Sequence, residues 1–352
     1  MPATIEQIAQ KLGLSRATVS RVLNGSGRIS EKTRQRVLDM ARQLGYKPNK
    51  AARALVKNRV YHIAIIIFSQ PLFFWNQVRR GIDFAYEELR HFRLDVKVYV
   101  TDINKPEEQV ELLESLSGQF DAIALAPNNP MIMGEAINRV VARGIPVVTF
   151  NNDVPESNRI CYVGSDYIQC GMLAGEIMGK MLGGEGDVAV FTVSPGIRTI
   201  EQRVEGFCRA LREHHAVNIV EFCKFSRLGE NAYERTCEFL DSHQGVSGLF
   251  VSFGILNEVA NAVAARGRSG KVRLIGYDLN NEIREHIMNG TIDAVIAHEP
   301  FVQGYFPVKI LYKLLADNTP PFSAIITTKA EAVFKSNLDC HMNEEVRFME
   351  IS

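Results

Sequence analysis

From residue 61 onward the chain alternates short apolar runs with amphipathic helical stretches such as 75–89, 107–116 and 131–142. Nine apolar runs are rich in β-branched residues, at 63–68, 96–100, 122–125, 147–150, 188–191, 219–222, 248–251, 272–275 and 294–297. Continuous apolar runs indicate strands buried on both faces, and helices between them supply the crossovers of a parallel, doubly wound α/β sheet. Nine or so strands are many for one such sheet, so the pattern predicts two.

The charge of the chain is distributed unevenly, although the formal net charge is zero. Residues 1–59 hold 13 Lys and Arg residues against three acids, and the remaining residues hold 27 bases against 37 acids. A basic segment tied to an acidic body suits a polyanionic partner, through counterion release and electrostatic steering. The amino-terminal segment is therefore a candidate nucleic-acid-binding module.

Within this basic segment, helix start and stop signals predict three short helices. Thr4 and Gln7 fit a capping box, and Gly13 ends the helix that follows. Ser15 caps a second helix after only one intervening residue, and Ser30 caps a third. Two short helices joined by a tight turn containing glycine form a helix-turn-helix, whose second helix enters the major groove.

The second predicted helix leaves Arg16, Ala17, Thr18, Ser20 and Arg21 around its exposed sides. Two guanidiniums, two hydroxyls and a methyl can contact phosphates and base edges, and no acid lies among them. Taken alone, these residues favour a short solvated helix, and it is the surrounding sequence that favours DNA binding. The stretch 49–57 is a candidate fourth helix, but two turns are marginal in water, so a flexible basic linker is the alternative.

Residues 3–58 resemble the DNA-binding headpiece of the lactose-repressor (LacI) family of bacterial transcription regulators. The resemblance rests on T-I-x-x-I-A-x-x-x-G-x-S-x-x-T-V-S-R-V-L-N, then S-x-x-T-R-x-x-V, then G-Y-x-P-N-x-x-A-R-x-L. It implies that Arg16 and Ala17 read bases and that a hinge helix at about 49–56 folds on DNA. Leu55 would wedge into a minor-groove base step. Because Ala17 offers only a methyl group, Arg16 should carry more of the discrimination. The predicted DNA-binding residues are Thr4, Ser15, Arg16, Ala17, Thr18, Ser20, Arg21, Asn24, Arg28, Thr33, Asn49, Ala52 and Leu55.

Polar and aromatic residues follow several of the predicted strands. Phe74 and Trp75 follow the first, Asn128 the third and Asn151 the fourth. Ligands of open α/β sheets bind at the carboxyl ends of the strands. Aromatic faces together with amides and charged planar groups suit a sugar, although each residue alone fits an ordinary loop role.

Residues 60–352 resemble the type I periplasmic-binding-protein fold that follows the headpiece in the same family, especially its ribose-type members. This resemblance rests on the motifs F-F-W-x-x-V-x-x-G, V-T-F-N-N-D, R-x-x-G-F and I-G-Y-D. One departure is Ser252-Phe253-Gly254, where many members have an Asn-Asp pair. The resemblance implies a sugar-like effector between two lobes, whose angle in a homodimer decides whether the hinge helices pair. The predicted ligand-binding residues are Phe74, Trp75, Asn128, Asn151, Asp153, Arg203, Asp278 and Gln303.

The predicted organisation is a headpiece at 1–48, a hinge and linker at 49–59, and a two-lobe region at 60–352. Lobe 1 would take about 60–163 and 300–323, and lobe 2 about 164–299 and 324–352. The expected partners are a pseudo-palindromic operator, a small effector and a second copy of the chain. A regulator that needs its ligand as a corepressor is the alternative within the class.

Other classes find little support in the sequence. Six scattered cysteines lack metal-ligand spacing, and the glycines at 183, 184 and 186 precede a strand, unlike a dinucleotide loop. No cofactor, metal or membrane partner is expected. A cytosolic sugar-processing enzyme is the alternative from another class. The chain start lacks the pattern of a signal peptide, so we expect a bacterial cytoplasmic protein that associates with the nucleoid when bound to its operator.

Overall fold

A computed structural model describes residues 4–23, 29–46, 59–193, 197–213, 216–226 and 229–342. The chain forms two compact units. One is Met1–Val60 with His91–Arg93, and the other comprises Tyr61–Arg90 and Leu94–Ser352. Among the helices described, none is long and apolar enough to cross a membrane.

The first unit contains the three predicted helices, α1 (Ile5–Leu12), α2 (Arg16–Leu23) and α3 (Glu31–Gln43). The predicted capping box is confirmed, because the Thr4 and Gln7 side chains each accept a hydrogen bond from the other residue's backbone N–H. Gly13 ends α1 in the left-handed conformation, at φ 65°, which glycine adopts without a Cβ penalty. The fully buried side chains of Ile8, Val19 and Val37 form the centre of its core.

The second unit begins with a parallel sheet and its crossover helices. In chain order these elements are β1 (Tyr61–Phe68), α4 (Leu72–Leu89), β2 (Leu94–Thr101), α5 (Pro106–Leu116), β3 (Ala122–Leu125), α6 (Pro130–Ala142), β4 (Val147–Phe150) and β5 (Cys161–Ser165). Strands β1, β3, β4 and β5 are almost entirely buried, which is why they read as continuous apolar runs.

A second sheet then forms in the same way. Its elements are α7 (Tyr167–Met181), β6 (Glu185–Val193), α8 (Arg198–Leu211), β7 (Ala216–Phe225), α9 (Ala232–Ser242), β8 (Gly248–Val251), α10 (Leu256–Ala265), β9 (Arg273–Tyr277), α11 (Asn281–Met288) and β10 (Ala294–Ala297). The chain then continues through α12 (Pro300–Asp317), β11 (Ile325–Thr328), β12 (Glu331–Val333) and α13 (Leu338–Met342).

The two sheets have matching strand orders, β11-β5-β4-β3-β1-β2 and β12-β10-β9-β8-β6-β7. Every pairing is parallel except that of β12, which runs antiparallel to β10. The predicted pair of parallel α/β sheets is therefore confirmed. The chain passes between the sheets after β5, after β10 and again between β11 and β12.

The third passage corrects the predicted lobe boundary. The sequence assigned 324–352 to lobe 2, but β11 (Ile325–Thr328) pairs with β5 in the first sheet. This strand alternates exposed and buried residues, so it lacks the continuous apolar run that marked the interior strands. Lobe 1 therefore comprises about 61–165 and 299–328, and lobe 2 about 166–298 and 329–342.

A pair of helices packs closely in each lobe, and glycine allows the contact. A Cβ at Gly81 of α4 would collide with the carbonyl of Phe301 in α12. In lobe 2 a Cβ at Gly171 of α7 would collide with the carbonyl of Arg203 in α8. The second contact matters for function, because it fixes the turn of helix from which the Arg203 side chain extends.

Candidate functional site

Helix α2 presents the surface expected of a DNA-reading helix. Val19 and Val22 are buried in the headpiece core, while Arg16, Ala17 and Arg21 are exposed. Ser15 Oγ accepts from the backbone N–H of Thr18 at 3.1 Å, which secures the start of the helix. A major groove could meet both guanidiniums and the Ala17 methyl group from this side.

Arg16 makes one ion pair within the headpiece, between its Nε and Glu6 Oε1 at 2.8 Å. Its side chain is 74% exposed and that of Glu6 54% exposed. Exposed pairs of this kind contribute about 0–1 kcal/mol, so contact with a base or phosphate can replace this one.

Two other predicted DNA contacts lie at helix starts in the headpiece. Thr4 is the N-cap of α1, and Thr33 lies in the first turn of α3, where its backbone N–H donates to Oγ of the N-cap Ser30 at 3.3 Å. The half-buried Thr18 and Ser20 lie on α2. Predicted contacts that lie outside the described residues are Asn24, Arg28, Asn49, Ala52 and Leu55.

In the second unit, a cavity of about 720 Å³ lies between the two lobes. Lobe 1 contributes Phe74, Trp75 and Asn151, and lobe 2 contributes Arg203 and Asp278. The structure thus brings together five of the eight predicted ligand residues, from positions far apart in the chain. They meet because the carboxyl ends of both sheets face the same cleft, as the topology of open α/β sheets requires.

A buried polar cluster of Arg203, Asp278 and His298 forms the innermost part of this wall. His298 Nε2 lies 3.0 Å from Arg203 Nη2 and 3.2 Å from Asp278 Oδ1. Arg203 Nη1 also donates to the carbonyl of Ser252 at 3.0 Å. The side chains of His298 and Asp278 are only 2% and 9% exposed, so these groups satisfy one another in place of water.

The orientation of the Gln303 side-chain amide determines which ring nitrogen of His298 carries the proton. Gln303 Nε2 donates to the His298 carbonyl at 2.8 Å and lies 3.4 Å from Nδ1. A neutral His298 therefore accepts at Nδ1, carries its proton on Nε2 and donates to Asp278.

The electrostatics of the cluster agree with this assignment. Burial, reinforced by the charge of Arg203, lowers the pKa of His298 despite its bond to Asp278. Burial opposes ionisation of Asp278, yet the hydrogen bond from His298 and the charge of Arg203 hold its pKa below the ordinary value. At neutral pH the cluster is thus a guanidinium, a carboxylate and a neutral imidazole.

Arg203 is also held by aromatic rings. Its guanidinium carbon lies 3.9 Å from the ring centre of Tyr277 and 5.0 Å from that of Tyr167. Its Nε is buried and has no hydrogen-bond partner among the described residues, and the residue lines the cavity. A buried donor without a partner in a cavity wall is a position where a ligand acceptor gains binding energy.

Lobe 1 supplies a rigid aromatic edge. Trp75 Nε1 donates to the Gln70 carbonyl at 2.9 Å, and its ring packs edge-on against Phe68 and Phe74. The Phe74 ring lies 5.4 Å from that of His298. Aromatic faces fixed in this way suit the C–H face of a sugar ring.

Asn151 and Asp278 follow equivalent strands of the two sheets, β4 and β9, and both adopt the left-handed conformation, with φ of 61° and 72°. Asn and Asp tolerate this conformation best among residues with a side chain. Asn151 Nδ2 donates to Gln303 Oε1 and Tyr167 Oη, each at 3.2 Å. Gln303, fully buried, therefore links a residue of lobe 1 to His298 instead of lining the cavity.

Asp153 and Asn128 do not line the cavity either. Asp153 forms a bidentate ion pair with Arg159, whose Nη2 lies 2.7 Å from Oδ2, and it accepts from Thr149 Oγ1 at 2.9 Å. Asn128 is 3% exposed, and its backbone N–H donates to Gln109 Oε1 at 2.9 Å. Both residues follow strands as predicted, but in this structure Asp153 organises the loop after β4.

Sequence reasoning missed His298, the central residue of the cluster. A detectable signal existed, because His298 directly follows β10 just as Asp278 follows β9. Within the described residues, no group of three or more His, Cys, Asp or Glu side chains is placed to hold a metal ion.

The two lobes and the polar cleft between them define a ligand-binding region of the periplasmic-binding-protein type. Residues 63–319 match the family model "Periplasmic binding protein domain", and the chain belongs to this family. Residues 4–49 match the model "Bacterial regulatory proteins, lacI family", so the chain joins a LacI-type headpiece to that region.

Comparisons with individual proteins agree with this combination. The transcriptional regulator CelR of Thermobifida fusca is 29% identical over 80% of this chain and 84% of CelR. The xylose/arabinose-binding protein XylF of Sulfolobus acidocaldarius is 23% identical over 65% of this chain. The chain spans 60% of the length of XylF. The crystal structure of GanP, a glucose-galactose binding protein from Geobacillus stearothermophilus, is 26% identical with a TM-score of 0.72, over 80% of this chain and 99% of GanP.

Proposed function

We propose that this protein is a sequence-specific transcription regulator, acting as a repressor, whose affinity for operator DNA is controlled by a small sugar-like effector. The observation that carries the proposal is that one chain joins a LacI-type headpiece to a two-lobe cleft with a buried polar cluster. Neither part alone implies ligand-controlled DNA binding, but their combination does.

The surface of α2 supports the DNA half of the proposal. Arg16 is the residue we assign to base reading, because its guanidinium can bond two acceptors of one guanine while Ala17 provides only a methyl contact. Arg21, Thr18 and Ser20 would add contacts to phosphates and bases. Hinge residues around Leu55 would complete the complex in the minor groove.

The chemistry of the cleft supports the ligand half. Arg203 and Asp278 present planar charged groups that can take paired hydroxyls, and Phe74 and Trp75 present ring faces. A ligand between the lobes changes the relative populations of lobe arrangements in proportion to its differential affinity for them. In a homodimer on a pseudo-palindromic operator, this population shift becomes a change in DNA affinity. Such a regulator works in the bacterial cytoplasm, and it binds its ligand without transforming it.

The proposal is tested on the full-length protein. Rounds of selection from random duplex DNA identify an operator, whose affinity is then measured by fluorescence anisotropy with and without pentoses, hexoses, polyols and uronic acids. We expect a two-fold symmetric sequence and at least one compound that weakens its binding. The salt concentration is held constant, because phosphate contacts make affinity strongly salt-dependent.

Each alternative gives a different result. A compound that strengthens operator binding identifies a corepressor-dependent regulator. A compound recovered in altered form after long incubation identifies an enzyme and contradicts the proposal. Failure to enrich any DNA sequence also contradicts it.

A further inference from the structure

We infer that the cleft is built for a glycoside that carries an apolar aglycone, such as an aryl glycoside, in preference to a free monosaccharide. This inference rests on the proposed function, because it deepens the chemistry of the same effector site. It comes from the part of the cavity wall that the polar cluster does not occupy.

Besides the polar cluster and further polar side chains such as Asn76, Asn280 and Glu282, an apolar group of residues lines the cavity. Pro71 and Phe73 of lobe 1 line the cavity together with Phe253, Gly254 and Ile255 of lobe 2. A Cβ at Gly254 would lie 3.8 Å from Pro71 Cγ and 3.9 Å from Phe73 Cζ, so lobe 2 approaches these two residues of lobe 1 to within the space of about one methyl group. None of these five side chains can donate or accept a hydrogen bond.

The loop after β8 explains how lobe 2 becomes apolar at this point. Ser252 is fully buried, and its hydroxyl donates to the carbonyl of Phe191 at 3.1 Å. Its own carbonyl is taken by Arg203. The first side chains beyond it are Phe253 and Ile255, which pack in the lobe 2 core and turn one edge to the cavity. A sugar hydroxyl placed against these side chains would lose hydrogen bonds to water and gain none from them.

The apolar and polar parts of the wall are continuous. Phe73 and Phe74 are neighbours at the start of α4, and the Phe74 ring lies 5.4 Å from the His298 ring in the polar cluster. The cavity of about 720 Å³ falls in the range of roughly 300–1,000 Å³ that holds drug-sized ligands. A ligand that fits both parts therefore has a hydroxylated ring joined to an apolar group.

The experiment uses the full-length protein and matched pairs of compounds, each pentose or hexose as the free sugar and as its phenyl α- and β-glycoside. Binding is measured by thermal shift and then by calorimetry. We expect at least one phenyl glycoside to bind at least about tenfold more tightly than its free sugar, the gain from burying most of a phenyl ring. Phe73→Asn should bring this ratio close to one.

Phe322→Asn is the matched control, because Phe322 is 87% exposed and does not line the cavity. It should leave the ratio unchanged. Equal affinity for free sugars and phenyl glycosides would overturn the inference and leave the proposed function intact. Tighter binding of disaccharides than of phenyl glycosides would also overturn it, in favour of a second sugar ring. If no sugar or glycoside binds, the sugar-like effector of the proposed function fails as well.

Discussion

Helix α2 presents Arg16, Ala17 and Arg21 within two turns of exposed helix, whereas the cleft gathers its polar cluster from positions 203, 278 and 298. These α2 side chains are solvated, and Arg16 forms an exposed ion pair with Glu6. The cleft side chains have left water and are held by one another. On α2, one side chain can therefore be replaced without affecting its neighbours. In the cleft, replacing one polar side chain leaves a neighbouring side chain with an unpaired charge or without its hydrogen-bond partner.

This contrast predicts where a substitution affects stability and where it affects only binding. Polar groups in the cleft region should show large effects that depend on their neighbours. Substitutions on α2 should show moderate effects confined to DNA affinity.

The largest effect should come from Asp153→Asn. Arg159 is 7% exposed at its side chain, so the change leaves a nearly buried guanidinium without its carboxylate. Breaking a buried pair typically costs about 3–5 kcal/mol of folding free energy. Chemical denaturation should show this loss, and calorimetry should show unchanged ligand affinity in the folded protein. A selective loss of ligand affinity would instead return Asp153 to the binding site, where the sequence first placed it.

Asp278→Asn should abolish the ligand response. Asn has the same shape and tolerates the left-handed backbone at φ 72°, so the change removes mainly the charge opposite Arg203 and the acceptor for His298. We expect ligand affinity to fall at least about 100-fold, as for loss of one partner of a buried charged pair. Operator affinity without ligand, measured by anisotropy, should be unchanged. A full ligand response in this variant would show that the cluster is not the effector site.

Arg16→Ala should weaken operator binding by about 1–3 kcal/mol and relax selectivity at one base pair of each half-site. The loss of its exposed pair with Glu6 should not measurably change headpiece stability. Competition between the selected operator and single-base variants measures the selectivity, and Lys11→Ala on α1 serves as a control. Uniform weakening across all sequences would reassign Arg16 to a phosphate.

The smallest effect should be a pH dependence of stability. The pKa of His298 is lowered in the folded protein, so the unfolded chain binds more protons below about pH 6.5. The contribution of neutral His298 to the free energy of unfolding is therefore fully present above that pH. It decreases on acidification, by at most about 1.4 kcal/mol per pH unit for one proton. His286, whose pKa burial also lowers, contributes with the same sign.

His298→Gln should reduce this slope in denaturation curves recorded between pH 5.5 and 7.5, and His286→Gln should reduce it further. An unchanged slope in His298→Gln would show that the imidazole does not titrate differently on folding. Asp278 contributes only below about pH 4, because its pKa is lowered from the ordinary carboxyl value.

The same contrast explains what the sequence could predict. Thr4, Gly13 and Ser15 act through local hydrogen bonds and backbone geometry, so their roles followed from spacing alone. Strand β11 depends on its pairing with β5, which lies more than a hundred residues earlier in the chain. The conformation of the loop after β4 depends on which side chain binds the carboxylate of Asp153. Asp153 was placed in the site because it follows a strand, but Arg159, six residues later, takes its carboxylate. His298 was missed because nothing near it in the chain shows that Arg203 and Asp278 meet it.

The passage of the chain between β11 and β12 has a consequence for how the protein is made. The first sheet receives its edge strand β11 at Ile325–Thr328, and the second receives β12 at Glu331–Val333. Each sheet is therefore completed only after the interior strands of both sheets have been synthesised. Neither lobe is a continuous segment that could be expressed or exchanged alone, whereas the headpiece helices are consecutive in the chain and form a local unit.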